Sequence, residues 1–232
     1  MPRPSRYAES ALWLLAPLFW LQGRWVRWRT PQLPEAPGPR LGSQGEGSAL
    51  SLLILGDSAA AGVGIPHRNH TLVGHLVNQL ACQHRVQWQL LAQSGLTTEQ
   101  ALPMLAQVQT PPDLVIVSLG VNDILSVRSA RRWQVTLSEL IQSLQQQGQP
   151  KILLTALPPM ERFPRLPWPL NAWLGMRCRG YNRALVQLIQ QHNGVRLLTI
   201  PDLDADLAPD QFHPGPNTHR LWADAALLHC SS

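Results

Sequence analysis

From residue 49 onward, short apolar runs alternate with stretches whose apolar residues recur at helical spacing. LSLLIL (50–55) is apolar but for Ser51 and stops at Gly56, as a strand buried on both faces does. TLVGHLVNQLACQ (71–83) sets Leu72, Leu76 and Leu80 one helical turn apart. VQWQLLAQSG (86–95) predicts a second strand, and TTEQALPMLAQV (97–108) a helix in spite of Pro103. DLVIVSLG (113–120) is the clearest strand, and residues 130–148 form an amphipathic helix with Gly148 as its stop. KILLTALPP (151–159) predicts a fourth strand, followed by a helix over about 178–192, the strand VRLLTI (195–200) and a last helix over about 218–228. Strands alternating with helices of this length predict an α/β domain over 49–232, with a mostly parallel central sheet covered by helices on both faces.

The chain before residue 49 does not follow this pattern. TPQLPEAPGPRLGSQGEGS (30–48) is rich in Pro and Gly without periodicity, which predicts a linker or an extended covering arm. Residues 1–29 are basic and apolar. ALWLLAPLFWL (11–21) would reach only about 17 Å as a helix, short of a hydrocarbon core of roughly 30 Å. Its length suits the apolar region of a signal peptide, but no small-x-small cleavage site follows. Trp13, Trp20, Trp25 and Trp28 with flanking Arg favour a segment lying in a membrane interface through residues 11–29. A helix packed on the domain itself is the alternative. Such an N-terminus fits either face of a membrane, so membrane-associated, periplasmic and cytoplasmic placements all stay open.

Composition narrows the class. Hydrophobic residues make up 44% of the 232, enough for a sizeable core. The formal charge of +5 raises a nucleic-acid partner, but 18 of the 19 basic residues are Arg scattered along the chain. No alternating basic and aromatic stripe runs through the domain, so no nucleic acid is expected. Cys82, Cys178 and Cys230 are odd in number and far apart, which argues for free thiols and against structural zinc. DLDADL (202–207) opens like a calcium loop, yet Leu207 and His213 stand where Gly and Glu are needed, so no metal is expected. GDSAAAGVG lacks both GKS/T and G-x-G-x-x-G, which removes a phosphate cradle. No cofactor is expected.

In open α/β sheets ligand chemistry gathers at the carboxyl ends of the strands. Ser58 lies just past the first strand in a turn of small residues. A serine nucleophile needs a base, and PDQFHPG places Asp210 three residues before His213. Pro214 biases His213 away from helix, so the pair sits on a rigid corner. Asp210 is then the orienting acid and His213 the base. His219 is the weaker alternative base and Asp123 a fallback acid; Asp123 and Asp57 otherwise bond to their turns. Asn122, after the third strand, carries an amide able to donate to a developing oxyanion, and the N–H groups of Gly95 and Ser58 are further donors. ERFPRLPWPLNAWLGM (161–176) is a Pro- and Trp-rich insertion. It is either a wall for an apolar acyl group, with Trp168 and Trp173 as substrate-binding residues, or a stiff surface connection.

GDSAAAG, Gly95, GVND and DQFH resemble, in order and spacing, the four signature blocks of the SGNH (GDSL-like) hydrolases over about residues 50–225. The resemblance implies a flavodoxin-like three-layer α/β/α sandwich and a Ser-His-Asp ester hydrolase. It also implies an oxyanion hole from the Ser58 and Gly95 backbones and the Asn122 side chain. Ala59 replaces the Leu of the consensus, and Ser94 stands where Asn is frequent; both neighbour the chemistry and bear on substrate preference. The expected function is a serine esterase on lipid-like or medium-chain acyl esters, such as lysophospholipids or thioesters. A carbohydrate O-acetyl esterase of the same fold is the alternative, and a catalytically silent membrane-associated binding module is the reading from a different class.

Overall fold

The aliphatic run at 50–55 lies within β2 (Ser48–Gly56), an inner strand of a six-stranded sheet. The computed structural model describes residues 15–126, 128–201 and 206–230. Trp13, the basic start of the chain and most of the acidic run at 202–207 lie outside the described residues. β1 (Leu41–Gln44), β3 (His84–Ala92), β4 (Leu114–Ser118), β5 (Lys151–Thr155) and β6 (Val195–Leu198) complete the sheet in the order β1-β3-β2-β4-β5-β6. All pairs are parallel except β1 with β3. The five parallel strands therefore follow the doubly wound, flavodoxin-like order, with the topological switch between β2 and β4.

Alternation along the strands feeds two cores. Leu53, Leu55, Val115, Val117, Ile152 and Leu154 face one layer, and Leu52, Ile54, Leu114, Ile116 and Leu153 face the other. The first layer holds α6 (Ala130–Gln145), α7 (Leu170–Ile189) and Phe19 of α1 (Ala16–Arg29). The second holds α3 (Leu72–Leu80) and α8 (Pro216–Leu227). The short helices α2 (Ser58–Ala61), α4 (Thr98–Ala101) and α5 (Val121–Leu125) follow β2, β3 and β4. Register sets these ends level, because Gly56 pairs with both Ala92 and Ser118.

Residues 30–48 lie against the domain as the extended arm that was one of their two expected forms, and three other expectations need correction. Ala36 is buried, Gly64 N–H donates to the Pro34 carbonyl at 2.9 Å, and the tail of the arm becomes β1. The helix expected over 97–108 breaks after α4 into a 3-10 segment, Leu102–Gln107. Pro103 has no N–H to continue an α-helix, while Thr97 and Gln100 close a capping box at its start. The second strand spans 84–92 rather than 86–95. α7 starts at Leu170, eight residues before the expected 178, so the second half of the Trp-rich insertion is helical.

α1 packs on the domain along one face only. Phe19 is buried and Val26 packs against the first core, yet most of the other apolar residues of the helix stay exposed. Among the described residues, no helix is long and apolar enough to cross a membrane.

Candidate active site

Gly56 lets β2 turn into α2 against its neighbours. A Cβ there would lie 2.5 Å from Ala60 Cβ and 2.9 Å from the Ser118 carbonyl oxygen. Asp57 caps α2 by accepting from Ala59 N–H at 3.1 Å, which leaves Ser58 as the first helical residue at the end of the sheet.

The second half of the site comes from a corner after β6. Asp210 Oδ1 accepts from the N–H groups of Phe212 and His213, each at 3.0 Å, and Gln211 takes a left-handed φ of 60°. Ala208 N–H donates to the His213 carbonyl at 2.8 Å and closes the corner. His213 Nδ1 lies 2.5 Å from Asp210 Oδ2, and Nε2 lies 2.9 Å from Ser58 Oγ. An ionised carboxylate only accepts, so Nδ1 carries the proton and Nε2 faces the serine as an acceptor. Burial pushes the Asp210 carboxyl up, but bonds from the His213 side chain and backbone outweigh it and hold the group below its ordinary value of 3.8. Ser58, His213 and Asp210, 155 residues apart in sequence at their extremes of contact, thus form one hydrogen-bonded chain.

His219 is not placed to compete. It is fully buried, Nδ1 accepts from Leu72 N–H at 3.1 Å, and burial drives its pKa down to about 3. Asp123 is equally committed elsewhere: its Oδ2 accepts from Thr98 N–H at 3.0 Å and Thr98 Oγ1–H at 2.9 Å. Trp133 Nε1–H donates in turn to Thr98 Oγ1 at 3.0 Å.

Asn122 is the second residue of α5, and its amide donates to Asp57 Oδ2 at 3.2 Å and to the Leu96 carbonyl at 3.1 Å. Gly95 sits exposed in the turn after β3 at φ +83°, with open space where a Cβ would be. Glu35 holds that turn. Its Oε1 accepts from Ser94 N–H at 2.8 Å and Ser94 Oγ–H at 2.7 Å, and its carboxylate pairs with Arg40. Nothing local in the sequence singles out Glu35, because the arm meets the turn only through the fold.

A cavity of about 60 Å³ adjoins Ser58 and His213, walled by Leu119, Val121, Leu157, Phe163, Phe212 and Trp222. Two buried polar atoms on its lining residues, Thr155 Oγ1 and Trp222 Nε1, have no hydrogen-bond partner. Trp168 and Trp173, expected at this wall, do not line it. Trp168 is 78% exposed, and Trp173 stacks on Phe19 of α1 with ring centroids 4.8 Å apart. The insertion contributes Phe163 instead, and Arg165 Nε donates to the Asp210 carbonyl at 3.1 Å. Among the described residues, no cluster of three or more metal-ligating side chains occurs.

Burial dominates at Asp57 and pushes its carboxyl from an ordinary 3.8 up to about 6, with the Ala59 N–H bond only partly opposing. The folded value lies above the unfolded one, so this group's contribution to stability is complete below about 3.8 and is lost as pH rises through about 6. A shift of roughly two units corresponds to at most about 3 kcal/mol. Urea midpoints taken near pH 4 and near pH 7 should therefore fall less in Asp57→Asn, which keeps the capping acceptor, than in the wild type. Equal slopes in the two proteins would contradict this.

Residues 54–221 match the model of the GDSL-like lipase/acylhydrolase family, and the chain belongs to that family. By class it is a hydrolase of carboxylic esters. No curated protein matches the sequence. Among solved structures, the psychrotrophic esterase EstA from Pseudoalteromonas sp., inhibited by monoethylphosphonate, is 21% identical with a TM-score of 0.62, covering 78% of this chain and 96% of its own. The lipase Lip_vut3 from goat rumen metagenome is 18% identical with a TM-score of 0.63, covering 77% and 96%. A catalytic mutant of the acetylxylan esterase Axe2 from Geobacillus stearothermophilus is 19% identical with a TM-score of 0.57, covering 79% and 94%. At these identities the likeness is one of fold.

Proposed function

We propose that the protein is a serine esterase in which Ser58 attacks the ester carbonyl, His213 acts as general base and then general acid, and Asp210 orients and stabilises the imidazole. The observation that carries this reading is His213 itself, bonded to Asp210 through Nδ1 and to Ser58 Oγ through Nε2. Attack moves the Ser58 proton to Nε2 and forms the tetrahedral intermediate. Its collapse breaks the ester C–O bond, and Nε2 returns the proton to the leaving alkoxide. Water, deprotonated by the same nitrogen, then releases the acid from the acyl-enzyme.

The oxyanion falls to Ser58 N–H, Gly95 N–H and the Asn122 amide. Asn122 is held at rest by Asp57 and Leu96, so its donation to substrate exchanges or shares one of those bonds. Asn122→Ala should lower kcat about 10²- to 10³-fold with a much smaller change in KM, the pattern of a donor used chiefly in the transition state. An unchanged kcat would remove Asn122 from the oxyanion hole.

Cavity size favours a short acyl group over the medium chain expected from sequence. The space beside Ser58 and His213 is only about 60 Å³. The apolar wall suits acetyl to butyryl, with longer chains left in solvent. The same size supports the carbohydrate O-acetyl esterase reading. A series of p-nitrophenyl esters of graded chain length, run beside acetylated sugars, tests this reading. A kcat/KM maximum at short chains is expected, and a maximum at long chains would contradict it.

A further inference from the structure

We propose that α1 docks the protein on an anionic lipid surface through the helix face opposite the one packed on the domain. Phe19 and Val26 face inward. Leu18, Leu21, Trp25 and Trp28 recur at intervals of three and four residues, which puts them on one stripe of the helix. That stripe is exposed, from 39% at Leu18 to 81% at Trp28. The described fold therefore leaves four large apolar side chains in a row exposed, where a helix that served only packing would be polar.

Charge on the same helix selects the partner. Arg24, Arg27 and Arg29 flank the stripe, and residues 16–34 contain no Asp or Glu. The guanidinium of Arg24 lies 5.0 Å from the Trp20 ring and that of Arg29 lies 5.4 Å from Trp25, an interleaving of cation and indole suited to the headgroup level of a bilayer. A second copy of the chain fits poorly, because a twofold contact would bring these arginines together with no acid on the helix to neutralise them. The 14 described residues of the helix are too few to span a hydrocarbon core, which suits a helix lying in the plane of the interface.

The helix is tied to the site through its packed face. Phe19 stacks on Trp173, Gln22 Nε2–H donates to the Trp168 carbonyl at 2.9 Å, and the insertion carrying both tryptophans also supplies Phe163 to the cavity. The proposal does not depend on Ser58 chemistry.

Co-sedimentation of the full chain with vesicles tests it, comparing phosphatidylcholine alone with a phosphatidylcholine–phosphatidylglycerol mixture. Binding to the mixed vesicles is expected to exceed binding to the neutral ones by about tenfold or more, and to fall at raised salt. Trp25→Ser/Trp28→Ser should lose binding to both, and Arg24→Gln/Arg27→Gln/Arg29→Gln should lose the anionic preference. Both variants should keep wild-type turnover of soluble p-nitrophenyl acetate, which reports an intact domain, and Ser58→Ala should bind vesicles like the wild type. Equal partition of the wild type between the two vesicle types, or unchanged binding by the double Trp variant, would overturn the proposal. So would a dimer in gel filtration that the double Trp variant converts to monomer, since a second copy would then own the stripe.

Discussion

Ser58→Ala is expected to fold normally and to lose kcat on p-nitrophenyl acetate by a factor on the order of 10⁶, the effect of removing the proposed nucleophile. The fold should survive because the change removes one hydroxyl from the first position of a short helix capped by Asp57, not by Ser58. His213 would keep its bond to Asp210, so the corner at 207–214 should stay closed. Thermal unfolding checks the first statement and steady-state kinetics the second. A loss of only a few-fold in a well-folded variant would place the nucleophile elsewhere.

The second large effect is expected from Asp210→Asn. The carboxylate accepts from Nδ1–H, which leaves Nε2 free to take the Ser58 proton. An amide can donate to Nδ1 and so favour the tautomer with its proton on Nε2, where it points at Ser58 instead of receiving from it. Swapping the tautomer costs about 10⁴ in kcat where this has been worked through in serine proteases. Asn keeps an oxygen for the N–H groups of Phe212 and His213, so the loss should come with little change in loop geometry. Asp210 also has a pH signature. Its folded value lies below 3.8, so its contribution to stability is present above that pH and lost as pH falls through the folded value. The variant should lack that acid limb. Asp123→Asn is the discriminating control: it disturbs the anchor on Thr98 and should cost stability while sparing the proton relay.

The parts of the site readable from the chain were those whose partners lie close in sequence or at strand ends. Asp210 and His213 are three residues apart beside Pro214, and that spacing alone predicts a carboxylate–imidazole corner. Ser58 and Asn122 follow continuous apolar runs, and strand register sets those ends side by side. Strand β1 was illegible for a physical reason. Its Gly42 pairs with Trp88 and lies under the indole, where a Cβ would meet the ring at 3.1 Å. A glycine that reads locally as linker is there the residue an aromatic neighbour requires. The bonds from Asn122 to Asp57 and from Glu35 to Ser94 join segments 59 or more residues apart, with no local pattern to announce them. Phe163 and Phe212 line the cavity for the same reason, whereas the conspicuous Trp168 is exposed and Trp173 stacks on α1.

The central claim is that His213 makes Ser58 a nucleophile. Labelling with a fluorophosphonate probe, followed by mapping of the modified peptide, tests it most directly. The account predicts one adduct, on Ser58, absent from Ser58→Ala and strongly slowed in His213→Ala. An unlabelled wild type, or an adduct that persists in Ser58→Ala, would contradict it.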